Sequence, residues 1–185
     1  SAQQKNTLST MTEQTDIMMA RSISLSEDIT KELNQCLTAN GKTFSDLNDN
    51  PQLIMDLEAA LYPSLKSALD VKYCSGVFVV LDATVNTKTE YADTSRMGIY
   101  LRLSDLKAVN TSKQHVVFFR GNADIARAEQ VQLHNRWNLE FDTSALPGYE
   151  QIMQFDGNRL VESCLWTDRL ELSDTWEDVQ LLYVP

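Results

Sequence analysis

Histidine is almost missing from this chain, and the usual local signatures of catalysis are missing with it. Only His115 and His134 occur, and the three cysteines, Cys36, Cys74 and Cys164, lie far apart with no CxxC pair, so a zinc site is not expected. An odd cysteine count permits at most one internal disulfide and leaves all three pairings open; the other reading is three small, buried free thiols. GxSxG, GxxxxGK[ST], GxGxxG and HExxH are all absent. Acidic residues come singly or in solvated pairs such as Glu177 and Asp178, which identify no paired-carboxylate enzyme. The chain is therefore expected to be no enzyme and to carry no cofactor or metal. Basic charge is scarce too, at 16 Lys and Arg against 26 Asp and Glu. The net charge of −10, with no local Lys/Arg cluster, repels phosphate backbones and argues against nucleic-acid binding. No apolar run reaches the roughly 18 residues that a membrane span needs.

What is present suits one domain with an N-terminal arm: 43% of the 185 residues are apolar, enough for a substantial core. The chain opens on SAQQ without a methionine and stops at LLYVP, in the middle of a strand-like run. It reads as a segment of a longer protein, with any membrane spans outside it. Residues 5–39 contain neither proline nor glycine and place Leu8, Met11, Met18, Leu25, Ile29 and Cys36 three or four residues apart or at heptad-like intervals. This predicts a long amphipathic helix, with Thr15, Ser22 and Glu32 interrupting its seam. Such a helix packs on the domain's own sheet or pairs with a second copy, which makes a homodimer one expectation. Gly41 ends it. Pro51 opens a second helix lined by Leu53, Ile54, Leu57, Leu61, Leu65 and Leu69, with Pro63 predicted to kink or split it.

From Gly76 the texture turns to strands. GVFVVLDATV is short, β-branched and almost wholly apolar, followed by SRMGIYLRLSD, HVVFFRG and RWNLEFD. Asn122 caps a predicted helix in ADIARAEQVQ, and GYEQIMQF reads as another. DGN at 156–158 signals a turn, and RLVESCLWTDRLEL with DVQLLYVP predicts a terminal pair of strands. Two early helices followed by consecutive strands with short inserted helices give an α+β fold around a mostly antiparallel sheet. Residues 1–45 form the stalk and packing helix and residues 46–185 the domain.

The candidate binding residues follow from period-two alternation in SRMGIYLRLSD. Met97, Ile99, Leu101 and Leu103 take one face, while Arg96, Tyr100 and Arg102 share the other with Gly98. A phenol between two guanidinium groups suits a carboxylate or other small polar molecule, although a solvated sheet face or internal ion pairs have the same composition. In FFRG, Phe118 and Arg120 are expected to share a face opposite Phe119 and to extend the patch. Trp137, Trp166 and Asp168, with Tyr91 and Asp93, add amphipathic or acidic groups suited to a pocket lining. Asp82 reads as the cap of the turn after the first strand.

Taken together, the long helix, the second helix, GVFVVLDATVN, RMGIYLRLSD, an inserted helix and the closing WEDVQLLYVP resemble the extracytoplasmic Cache sensor domains of bacterial transmembrane receptors, which are PAS-like. The resemblance covers most of the chain as an order of elements. It implies a domain outside the cell membrane, in a receptor such as a two-component sensor histidine kinase, that binds a small polar or carboxylate-bearing ligand and relays the signal through its flanking helices. Arg96, Tyr100 and Arg102 only approximate the RxWY-type pocket signature of amino-acid-binding members, so the ligand's identity stays open. The alternative is a ligand-free dimerisation or protein-interaction module of a membrane protein.

Overall fold

A computed structural model describes residues 2–70, 74–104, 115–154, 164–167, 170–171, 178–179 and 182–185, with side-chain surroundings from residue 13 onward outside the short C-terminal strands. The fold is α+β. Helix α1 runs from Ala2 to Ala39. It contributes its residues up to Asp28 to one compact unit, with 147–185, and its remainder to a second unit, 29–146. Gly41, at φ +62°, takes the left-handed conformation just beyond the helix, and a 3-10 turn follows at Phe44–Leu47.

Helix α2, Pro51–Ala68, starts as its sequence predicts: Pro51 occupies the first turn and the Asn50 side chain accepts from Leu53 N at 3.1 Å. Leu53, Ile54, Leu57, Leu61 and Leu65 are buried along one side. Of the predicted kink or split at Pro63, the split does not occur; α2 is continuous through it. Both Pro63 and Ala59, the residue whose carbonyl loses its helical partner there, are exposed. At so exposed a position that carbonyl can do without its helical partner, so the proline is tolerated. Glu32, which interrupts the apolar seam of α1, accepts a 2.6 Å hydrogen bond from Ser64 of α2.

The second unit is built on a four-stranded sheet of β1 (Gly76–Val80), β3 (Gly98–Leu103), β4 (Val116–Arg120) and β5 (Gln132–Asn138), in the spatial order β1-β3-β4-β5. The first two pairings are antiparallel and β4–β5 is parallel, reached through the short helix α3, Ala123–Ala128. A two-residue ladder joins β2, Ser95–Arg96, to β6, Phe141–Asp142. Thus SRMGIYLRLSD is not one strand. Met97 separates β2 from β3, and Gly98 at φ +158° makes the junction, where an added Cβ would lie 2.0 Å from the Val79 carbonyl oxygen.

In the first unit, α4 (Tyr149–Ile152) precedes β7 (Leu165–Trp166), β8 (Leu170–Glu171), β9 (Asp178–Val179) and β10 (Leu182–Tyr183). The expected terminal strand pairing is present as two antiparallel ladders, β7–β10 and β8–β9. Ser26 of α1 donates to the Pro185 carbonyl at 2.9 Å in the same unit. The predicted turn at 156–158 lies outside the described residues.

Candidate functional site

Register decides which of the predicted site residues meet. On one face of the four-stranded sheet, Val77 lies opposite Leu101, and Leu101 opposite Phe118. These residues and Ile99 are buried, and the Phe118 ring stacks on Tyr62 of α2 at 6.4 Å. Phe118 is therefore a core residue. Its expected companionship with Arg120 is overturned by a register shift: Leu101 faces Phe118, but the preceding Tyr100 faces Arg120, which leaves Phe119 as an extra residue. Strand β4 slips against β5 over the same residues. A bulge of this kind re-aims side chains that strict alternation would separate.

The opposite face gathers Phe78, Tyr100, Arg102 and Phe119. Phe78 pairs with Tyr100 across β1–β3, and the Tyr100 and Phe119 rings are 5.1 Å apart. His134 of β5 stacks on Phe119 at 4.1 Å. Arg102 is only 4% exposed, and its Cγ lies 3.1 Å from where a Cβ on Gly76 would be, so its aliphatic stem rests on the glycine backbone. Sequence reasoning found Tyr100 and Arg102 but missed Phe119 and His134, because only the bulge and the parallel β4–β5 pairing bring those two rings to this face.

The other candidates have structural partners. Arg96 Nε meets Asp82 Oδ1 at 2.7 Å, and its Nη1 donates to the carbonyls of Ala92 at 2.6 Å and Ser95 at 2.8 Å. It ties the loop before β2 to the end of β1 and does not join Tyr100 and Arg102. Asp82 is its ion-pair partner. Arg120 Nη1 donates to the Phe119 and Arg136 carbonyls, each at 2.8 Å, bracing the bulge. Trp137 Nε1 donates to the Gly121 carbonyl at 2.9 Å. Trp166 lies in β7 opposite Leu182, and Asp168 falls outside the described residues.

A second polar constellation was not anticipated. Glu58 of α2 is 1% exposed and accepts from Asn122 N at 2.9 Å through Oε2, while Oε1 has no hydrogen-bond partner in ordinary geometry. Burial pushes its carboxyl from an ordinary 4.5 up to about 8; the Asn122 and nearby Gly98 backbone N–H groups pull the other way, and Glu140 adds to the rise. Glu140 accepts from Thr84 Oγ1 at 2.9 Å and Val85 N at 3.3 Å through Oε1. Its Oε2 is shielded from solvent and also has no partner. The sequence signal for Glu58 was an acidic residue between Leu57 and Leu61 on the apolar side of α2.

Glu140 also lines a cleft of about 350 Å³ beside the β2–β6 ladder, with Tyr91, Thr94, Ser95, Asn138 and Asp142. Among the described residues no group of three His, Cys, Asp or Glu side chains could hold a metal ion, and no helix is long and apolar enough to cross a membrane. The three cysteines form no disulfide and are half-buried, where full burial was expected; Cys74 Sγ donates to the Gly76 carbonyl at 3.1 Å, and burial raises its thiol pKa. Comparison with protein-family models, with curated proteins and with solved structures finds no match to this chain.

Proposed function

We propose that this chain is a non-enzymatic, extracytoplasmic ligand-sensing domain of a membrane-bound bacterial signalling receptor. The observation that carries the reading is the cluster of Tyr100, Arg102, Phe119 and His134 on one face of the central sheet, with Arg102 buried on the same face as the paired rings. A guanidinium offers a planar fork for a carboxylate, and the rings supply apolar surface around it. The ligand class is therefore a small carboxylate. Binding would act by population: a ligand shifts only an equilibrium between states that it binds differently, here two arrangements of the flanking helices.

Thermal-shift titration with a panel of amino acids, hydroxy acids and dicarboxylates tests this. At least one carboxylate should raise the melting temperature saturably, and Arg102→Lys, which keeps the charge but loses the fork, should weaken that effect by about tenfold. If no carboxylate stabilises the fold, or if Arg102→Lys binds as well as the parent, the reading is wrong.

One feature favours a second reading, a dimerising stalk: Ile17 is a large apolar residue exposed on α1. Ile17→Glu in the full chain, examined by light scattering, should convert a dimer to a monomer if α1 carries the interface. A chain that is monomeric throughout removes this alternative.

A further inference from the structure

We propose that Glu58 is a pH-sensitive latch between α2 and the central sheet, and that its proton state is transmitted through the Gly121–Asn122 peptide to Trp137 of β5. This inference does not rest on the carboxylate reading, because it involves neither Arg102 nor the rings on its face.

The relay is a single peptide unit. On its N–H side, Asn122 N donates to Glu58 Oε2 at 2.9 Å; on its C=O side, the Gly121 oxygen accepts from Trp137 Nε1 at 2.9 Å. Hydrogen bonds in such a chain polarise one another, so a change of charge on the carboxyl group alters the acceptor that the indole meets. The peptide has little room to turn alone. Gly121 sits at φ +120°, where an added Cβ would lie 2.9 Å from the Phe118 ring and 3.2 Å from the Gly98 carbonyl oxygen. Its N–H donates to the Leu139 carbonyl at 3.2 Å. The start of β3, the end of β4 and the end of β5 thus meet at the group that Glu58 holds.

The surroundings of Glu58 favour its neutral form. The side chain is 1% exposed, and Oε1 has no hydrogen-bond partner in ordinary geometry. The charged group acting on it is Glu140, a second carboxylate. Charges on the neighbouring elements are engaged elsewhere. Asp124 and Arg127 of α3 pair with each other at the surface, Glu32 of α1 accepts from Ser64, and Asp46 of the 3-10 turn accepts from Thr43 N. Arg120 of β4 is held on the Phe119 and Arg136 carbonyls, and Arg102 belongs to the opposite face of the sheet. The remaining titratable neighbour is Tyr62, one turn along α2, whose hydroxyl is shifted upward by burial and by Glu129. Loss of the Glu58 proton therefore places a second negative charge near Glu140 in a buried setting, and admitting water between α2 and the Gly121–Asn122 peptide relieves it. Burial holds the carboxyl's pKa at about 8, so the latch is closed below that pH and loosened above it.

Proton–nitrogen NMR of the full chain, followed from about pH 6 to about pH 9.5, tests the relay. We expect the Trp137 indole and Asn122 amide signals to move together with one midpoint near pH 8, while the other two indole signals stay in place. Glu58→Gln, whose carbonyl still accepts from Asn122, should abolish the movement. A Trp137 signal that does not titrate overturns the proposal. So does one that titrates equally in Glu58→Gln, which would assign the effect to another group such as His134 of β5. Movement of all three indole signals together would mean global unfolding and also overturns it. Should Glu58→Gln not fold, carbon-13 observation of the Glu58 carboxyl in the parent chain decides: its midpoint must coincide with that of Trp137, and a difference above about half a pH unit refutes the relay.

Discussion

The two faces of the central sheet solve the same difficulty in opposite ways. Toward α2 lie Val77, Ile99, Leu101 and Phe118, and the ionisable residue buried there, Glu58, is driven toward its neutral form. On the other face, Arg102 is buried almost as deeply, at 4% against 1% exposed, but guanidinium groups stay charged in proteins. That face therefore has to accommodate a cation, whose stem is laid across a glycine on the same face as the Tyr100 and Phe119 rings. Burial alone does not mark a site. A buried group that can shed its charge is absorbed into a core, while one that cannot has to be accommodated as a charge.

The strongest way to break the comparison is to remove the α2 face. Phe118→Ala leaves a ring-sized void against Tyr62 and should lower unfolding free energy by about 3–5 kcal/mol, measured by urea denaturation. An effect below about 1 kcal/mol would show that this face is no better packed than the other.

Glu58→Gln sharpens it through pH. In the folded chain the carboxyl binds its proton up to about pH 8, whereas the unfolded chain releases it near 4.5. Between those values the native state holds more protons, so stability falls as pH rises through the window and is flat for this group outside it. Glu58→Gln cannot ionise, and its carbonyl can still accept from Asn122. Its stability relative to the parent should therefore grow from near parity at acid pH to an advantage of roughly 3 kcal/mol above pH 8; relaxation and water entry keep this below the full shift. A parallel pair of stability–pH curves would show that Glu58 is ionised in the fold.

On the Arg102 face, Gly76→Ala places a methyl 3.1 Å from Arg102 Cγ and 3.3 Å from the Leu101 carbonyl. Overpacking of this size should destabilise by about 1–2 kcal/mol and displace the Tyr100 ring, readable as a change in near-ultraviolet circular dichroism. No change in that signal would mean that the stem does not depend on the glycine.

These differences explain what the sequence could show. The helices, their starts at Pro51 and Asn122, and the core leucines of α2 depend on local spacing and capping, and each is legible residue by residue. The assignment of Ile99 and Leu101 to the core also follows from alternation. Phe118, Phe119 and Arg120 were misassigned because alternation presumes an unbroken register, and a bulge has no fixed sequence signal. His134 was missed because its place depends on a parallel crossover. Glu58 and Glu140 are 82 positions apart by their residue numbers, so nothing local links them.

The smallest predicted effect concerns Arg96, which shares its sequence stretch with Arg102 and nothing else. Its ion pair with Asp82 is solvent-accessible, with the two side chains 21% and 55% exposed, and exposed pairs contribute little. The hydrogen bonds to the Ala92 and Ser95 carbonyls hold the loop and do not depend on Asp82. Asp82→Asn should therefore lower stability by only about 0.5 kcal/mol, and Arg96→Ala, which removes the carbonyl donors as well, by about 1 kcal/mol. Neither should alter carboxylate binding, whereas Arg102→Lys should. If Arg96→Ala abolished binding while Arg102→Lys spared it, the anion would sit by the β2 loop and not on the sheet face, and the contrast between the two arginines would be reversed.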